Sequence, residues 1–549
     1  MRAYIGKIIL SCFTVFLIAA MLYSEYHLEI KEKENSLYFV IEENIIKTWK
    51  KDKIQYLFLP SYVKEEEVFL ASFSPEFYVL EEGETIQKEE SIKGLPQEKK
   101  LLCQSVESKE HFTLYILQSS NLATMYLYTN NHDLDKIKED KEYGVAGSIQ
   151  TIDQNGEHSR KIGVKEIRGR GNTSFAGYEK KPYSLTLKEE ESILGLPAGE
   201  KYALLSNASD PSLIRNDLVR RMEEELNLRG AHRGRFVDLY IDGLYEGNYY
   251  LCDDIEVGTQ RVNIENMEEA MDLVYTTSNY EAEPLYETEK AKARRLDISL
   301  VDMTGGYLME REYSQRFFHE YEKIKSGFIT QQQEHFVVKS PSYCSVEQIE
   351  YLRSYINEAE EAILHPRGIN EDTKKSYTDY IDIHSFVKKY LAEEVSKNYD
   401  GGVSSSYFYK DSDKKDGKLY AAYGWDYDMS LGNYVEWMEE FSSNPEGISK
   451  LAHHTYSSPW YENLYEKEEF YQLVKEYYAD KVSPFLGYLV EVSLNEYERW
   501  LYDSAIMNEI RWKEELLKNP YFVNREKTFS DLTDFIEKRK KYLDQEWIE

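Results

Sequence analysis

The period of the apolar pattern changes along this chain, and that change limits the folds open to it. From Ile54 the apolar residues come in short alternating runs: Tyr56-Leu57-Phe58-Leu59, Glu67-Val68-Phe69-Leu70-Ala71, Phe77-Tyr78-Val79-Leu80 and Phe112–Leu117. Alternation over four to eight residues between polar turns marks half-buried strands. Strands and helices then mix. Lys165–Arg168 and Tyr183–Leu187 read as strands, Pro211 opens a helix to about Leu228 with Asp210 as its cap, and Asp242-Gly243 marks a hairpin. Beyond Ser345 long helical patterns dominate, broken by a hairpin around Asp416-Gly417. This order predicts an α+β protein. The early strands form a small β-sandwich over 54–130, with Asn130-Asn131-His132-Asp133 as a linker.

Two segments precede the strands. Ile8–Tyr23 is an apolar run softened only by Ser11, Cys12 and Thr14, with Arg2 and Lys7 before it and Glu25, Glu29 and Glu32 after it. That pattern predicts an uncleaved signal anchor over 1–27: a single-pass transmembrane helix with the rest of the chain outside the cytoplasm. Over 28–53, Leu37, Val40, Ile41, Ile45, Ile46 and Trp49 fall at helical spacing and predict a stalk helix.

Bulk properties narrow the function. With 549 residues and 42% hydrophobic composition, the chain can bury a large core in two or three domains. A formal net charge of -32 with no Lys/Arg stripe argues against a nucleic-acid partner. An acidic surface favours a basic protein substrate. The cysteines, Cys12, Cys103, Cys252 and Cys344, are too scattered for a zinc site or a disulfide framework. No Gly-x-Ser-x-Gly elbow supports a serine hydrolase. The pair His453-His454 reads as surface or packed.

Four groups of residues can carry chemistry, and each has a plainer reading beside it. Arg168-Gly169-Arg170-Gly171-Asn172 combines small residues, which let a backbone approach phosphate, with two arginines; it also reads as a strand-ending turn. Lys180 and Lys181 precede a strand and are either phosphate partners or an exposed pair. Asp400, after a helix ending near Lys397 and before Gly401-Gly402, can orient a substrate hydroxyl or simply close a helix. Asp426 and Asp428 follow a strand, where one or both can hold a divalent cation or form an acidic turn.

Taken in order, these groups resemble the CotH family of spore-coat atypical protein kinases. The resemblance runs through Ile167–Ser174, Lys180-Lys181-Pro182-Tyr183-Ser184-Leu185, Tyr202–Asn207, Leu213-Ile214-Arg215-Asn216, Phe236–Gly243, Glu246–Leu251, Asn398-Tyr399-Asp400 and Trp425-Asp426-Tyr427-Asp428. It implies a reduced, atypical protein-kinase-like domain over 131–549. Such a domain binds ATP with Mg2+, or Mn2+ in its place, and phosphorylates Ser or Thr of a protein substrate; the acidic surface, apart from the resemblance, favours one that is basic and Ser-rich. By the same resemblance Lys181, with Lys180 as its rival in register, pairs the phosphates, while Arg168, Arg170 and Asn172 line the nucleotide. Asp400 is the catalytic-loop aspartate. Asp426 holds metal, with Asp428 as a further carboxylate. Two positions depart from the relatives: Ser405 stands where they place a metal-binding Asn, and Asp253 or Asp254 where they often place Glu. The expected topology puts the catalytic part where ATP is scarce, which leaves a competing reading: a surface or coat scaffold that keeps the fold without transfer. A third reading moves AMP or glutamate instead of phosphate.

Overall fold

The computed structural model describes residues 36–275, 279–424, 426–434, 438–519 and 522–549. The chain forms two compact units. The first takes the described residues up to Lys188 with Phe236–Tyr249 and Arg499–Glu514; the second takes Glu189–Arg235, Tyr250–Glu498 and Glu515–Glu549.

In the first unit, among the described residues, two sheets share one apolar core. One sheet runs Trp49–Lys51, Ile54–Leu59, His111–Gln118, Lys100–Ser105, Phe77–Val79, Glu84–Ile86. Within it Ile54–Leu59 and His111–Gln118 are parallel and the other neighbours antiparallel. The other sheet runs from Tyr183–Glu191 through Ile162–Gly169, Val145–Ile152, Ala123–Thr129, Arg235–Ile241, Leu244–Asp253, Asn44–Lys47 and Tyr38–Ile41 to Val68–Leu70. Phe39, Ile46, Leu57, Phe77, Leu114 and Tyr240 meet in the shared core, each side chain drawn from an alternating strand position.

Two expectations change here. Tyr38–Ile41, Asn44–Lys47 and Trp49–Lys51 are strands, so the stalk helix is corrected to a hairpin and a short edge strand. The apolar residues of this stretch fit both periods. Pairing of Tyr38–Ile41 with Val68–Leu70 buries Phe39 and Ile41 and decides for the strand. The linker after Thr129 does not end a sheet: Ala123–Thr129 pairs antiparallel with Val145–Ile152 and parallel with Arg235–Ile241. Asp242 pins the end of this strand, accepting from Thr129 N at 2.8 Å and Thr129 Oγ1 at 2.6 Å.

The second unit carries an antiparallel sheet, ordered Leu285–Thr288, Ala291–Arg294, Gly327–Ile329, His335–Ser340, Tyr307–Glu312, Ser406–Lys410, Leu419–Ala421. Helices Val346–Leu364 and Ile383–Ser396 bury Ile349, Leu352, Phe386 and Leu391. Ser345 and Gln348 close a capping box at the first, and Asp382 accepts from Ser385 N at the second. Lys397, in left-handed backbone (φ 51), ends the second helix and turns the chain toward Asp400. The helix expected from Pro211 starts later, at Arg215. Asp210 holds the preceding turn instead, accepting from Ser212 N at 2.9 Å and Arg215 N at 3.0 Å.

The membrane expectation is also corrected. Among the described residues no helix is long and apolar enough to cross a membrane, which overturns the single-pass, membrane-anchored placement. The run Ile8–Tyr23 assigned to that role lies outside the described residues.

Candidate active site

Asp400 and Asp428 are brought together in the second unit. Asp400 sits in the turn Tyr399–Gly402, directly after helix Ile383–Ser396. Its carboxyl is pushed up to about 6, first by burial and next by the charge of Asp428, against the opposing pull of Arg316. Asp428 is also raised, by burial first, while a hydrogen bond from Ser209 Oγ opposes the shift and Asp210 adds to it. Both carboxylates remain partly exposed. Two like charges in a poorly solvated place are costly unless something holds them there.

What holds them is a lattice of buried polar groups. Asn398 Nδ2 donates to Glu393 Oε2 at 2.7 Å, and Asn398 Oδ1 accepts from Asp400 N at 3.3 Å. Arg311 Nη2 donates to Gly402 O at 2.7 Å, while its Nη1 is anchored on Glu334 at 3.0 Å. His453 Nε2 is hydrogen-bonded to Tyr399 O, and its ring stacks on Phe441 at 4.0 Å. The loop of Asp428 is fixed from below by Tyr427. The phenol of Tyr427 donates toward Glu223 Oε1 at 2.9 Å and Glu393 Oε1 at 3.0 Å, and its backbone N–H donates to Asn216 Oδ1 at 2.9 Å. Lys389 pairs with Glu393 and balances this acidic pocket. Asn433 Nδ2 ties Asp428 O (2.7 Å) to Ser209 O (3.0 Å).

The other expected residues fall into place differently. Asp426 adopts left-handed backbone (φ 59), and Trp425 lies outside the described residues. Ser405 is buried, also left-handed (φ 52), just ahead of strand Ser406–Lys410. Among the described residues no three His, Cys, Asp or Glu come together in a way that could hold a metal. Asp253 is wholly buried, with Arg220 Nη2 on one oxygen at 2.5 Å and Tyr423 OH on the other at 3.1 Å. Its carboxylate is engaged by that pair within the fold.

In the first unit, Lys180 and Lys181 are both buried, not an exposed pair. Lys180 Nζ donates to Asn248 O at 2.6 Å, lies over the Tyr249 ring, and feels Glu246 and Asp238. Burial still drives its ammonium down to about 7. Lys181 Nζ donates to Phe175 O at 2.8 Å over the Phe175 ring. Arg168 is exposed beside Glu166 (3.5 Å) and Glu142 (3.8 Å), Arg170 Nη1 reaches Ser184 Oγ at 3.4 Å, and Asn172 Oδ1 accepts from Lys141 at 2.5 Å. A Cβ at Gly169 would collide with the Phe175 ring, so packing, not an approaching ligand, fills the space that this glycine leaves.

Several supports escaped the sequence reading: Ser209, Glu223, Arg311, Arg316 and Glu393. The stretch from Asn207 to Asn216 did carry a signal, since its polar residues are too dense for an ordinary turn. Asn207, Asp210, Arg215 and Asn216 are all buried.

The fold and this site define an α+β protein with a rigidly held pair of aspartates on the loops after a helix and a strand. The chain belongs to the family described as CotH kinase protein, which matches over residues 167–543. A comparison with curated proteins gives no match.

Proposed function

We propose that the chain is an ATP-dependent protein kinase that phosphorylates Ser or Thr of a spore-coat-type protein. The observation that carries this reading is the placing of Asp400 within reach of the charge of Asp428, on loops clamped by buried hydrogen bonds. Family membership supports kinase chemistry in general.

The donor set fits Mg2+. Mg2+ takes oxygen ligands, commonly one or two carboxylates with substrate phosphates and water, and it does not need an all-protein cage. Asp400 and Asp428 are hard carboxylates whose pKa values are raised first by burial, a cost that a bound cation would offset. Mg2+, or Mn2+ with the same preference for oxygen, would neutralise charge on the triphosphate when bound.

The residues divide the work. Asp400 orients the acceptor hydroxyl and takes up its proton; a carboxyl titrating near 6 is ionised at neutral pH yet more basic than an ordinary aspartate. Asp428 is the metal-side carboxylate, since its charge is the one felt by Asp400, and Asp426 is the second candidate for that role. In the first unit Lys181, not Lys180, is the lysine suited to a phosphate. Lys181 makes one hydrogen bond with three donors to spend, while Lys180 is committed inside the fold and half-neutral near pH 7. Catalysis of this kind is mostly positioning and electrostatics.

The test uses the full chain with γ-labelled ATP, Mg2+ or Mn2+, and a basic Ser-containing peptide. Label should pass to the peptide, and Asp400→Asn should lower the rate about 100-fold or more. Unlabelled peptide and protein with either metal would leave the scaffold reading in place. A product mass other than that of phosphate would identify transfer of another group.

A further inference from the structure

We propose that the first unit carries a separate binding groove for a neutral oligosaccharide, centred on Trp500. The groove has a volume of about 640 Å³, within the range of sites that take small molecules. It is lined by Gln97, Gln118, Asn121, Gln154, Trp500 and Asp503, together with Glu98 and a few serines. All of these residues belong to the first unit. None of the catalytic candidates lies among them, so the proposal does not rest on the kinase reading.

The lining selects its ligand by charge. It contains no lysine, arginine or histidine and two carboxylates, Glu98 and Asp503. A phosphate or any other anion would meet repulsion without a partner. An apolar ligand would strip water from amides and hydroxyls without replacing their hydrogen bonds. The amide nitrogens are in part already used. Gln118 Nε2 donates to Pro60 O at 3.1 Å and Val63 O at 2.6 Å, and Gln97 Nε2 donates to Glu65 Oε1 at 2.9 Å. Amide carbonyls, carboxylates and serine oxygens then make an acceptor-rich surface. Such a surface asks for a ligand dense in O–H donors, which is what a sugar offers.

Trp500 supplies the remaining element. The residue is 38% exposed. Trp500 Nε1 donates to Asn121 O at 3.4 Å, and Asn121 Nδ2 donates back to Trp500 O at 3.4 Å. Phe236 stands against the ring at 5.7 Å and 84°. The ring is thus held in place before any ligand arrives, so little side-chain freedom remains to be lost on binding. A flat aromatic surface beside amides and carboxylates suits a pyranose, whose C–H face packs on the ring while its edge hydroxyls reach the acceptors. A lysine-bearing peptide is the rival occupant, through the two carboxylates and the ring face. The amides and hydroxyls outnumber the carboxylates and favour the sugar.

Calorimetric titration of the full chain decides, with cellohexaose, chitohexaose, laminarihexaose and maltohexaose as probes and a lysine hexapeptide beside them at physiological ionic strength. At least one saccharide should bind with Kd below about 1 mM. Trp500→Ala should weaken it about tenfold and Trp500→Phe recover part of the loss. Gln154→Ala, at an exposed turn where folding is not at stake, should weaken it about threefold. No binding by any saccharide at several millimolar would overturn the proposal. So would binding indifferent to both Trp500→Ala and Gln154→Ala, or a site that takes the peptide and refuses the sugars.

Discussion

Each unit buries a cluster of charges, and the two clusters are built on opposite rules. Around Lys180 in the first unit the signs are mixed. Glu246 meets Lys138 at 2.7 Å and Arg511 at 3.6 Å, and Asp238 accepts from Tyr245 OH at 3.0 Å and Ser504 Oγ at 2.7 Å. Each anion there has a cation or several donors, as a buried ionic group requires. Around Asp400 in the second unit, burial and the charge of Asp428 raise the cost of ionising Asp400, and the nearby cation, Arg316, only partly offsets it; Asp428 is raised by burial and by Asp210. In the first cluster the opposite charges sit side by side, although burial still lowers Lys180 and raises Asp238. In the second, like charges face each other with one cation near, the kind of perturbed pair that the proposed function puts to use.

The sharpest way to break this contrast is catalytic. Asp400→Asn and Asp428→Asn should each lower phosphate transfer by about two to four orders of magnitude in a single-turnover assay. If Asp426→Asn is crippled and Asp428→Asn is not, the metal-side role moves to Asp426. The next effect is structural. Lys180→Met leaves buried anions short of a cation and should cost about 3 kcal/mol or more in a denaturant titration. Lys181→Met should cost well under half of that, because its ammonium gives up one backbone hydrogen bond and a contact with the Phe175 ring, and leaves no buried anion unpaired. Equal losses would erase the distinction between the two lysines.

Asp400→Asn should also stabilise the protein without metal at pH 7, by about 1–3 kcal/mol, read as a higher melting temperature. The sign follows from the raised folded pKa. The native carboxyl binds its proton more tightly than the unfolded one, so ionising it costs stability. That cost is absent below the ordinary aspartate range and is complete above about 6. The same ionisation sets the rate, which should rise through about pH 6 and then level off. The smallest effect expected is that of Tyr427→Phe. It takes a shared donor from Glu223 and Glu393 and should cost about 1–2 kcal/mol, with a loss of transfer larger than its loss of stability predicts.

Local features of this fold were legible in the sequence. The strands Ile54–Leu59, Val68–Leu70, Phe77–Val79 and His111–Gln118 form where alternation placed them. Asp242 and Gly243 both take positive φ (49 and 83), as a two-residue hairpin turn demands. The helix before Asp400 also ends where expected, at Lys397. The stalk was misread because apolar residues over 37–49 satisfy two periods, and only the partner strand Val68–Leu70 chooses between them. The burial of Lys180 and Lys181 was invisible because lysine is ordinarily exposed and their partners lie far along the chain. The site was half legible. Its aspartates stand out by order and spacing, but Asn216 meets Tyr427, and Ser209 meets Asp428, across more than two hundred positions. No local pattern encodes such a pairing.

Tyr427 touches Glu223 on one helix and Glu393 on another with a single oxygen. One hydroxyl thereby couples the loop of Asp428 to the helix that delivers Asp400. Folding itself therefore fixes the backbone that carries each carboxylate: one phenol oxygen ties a loop to two helices at once.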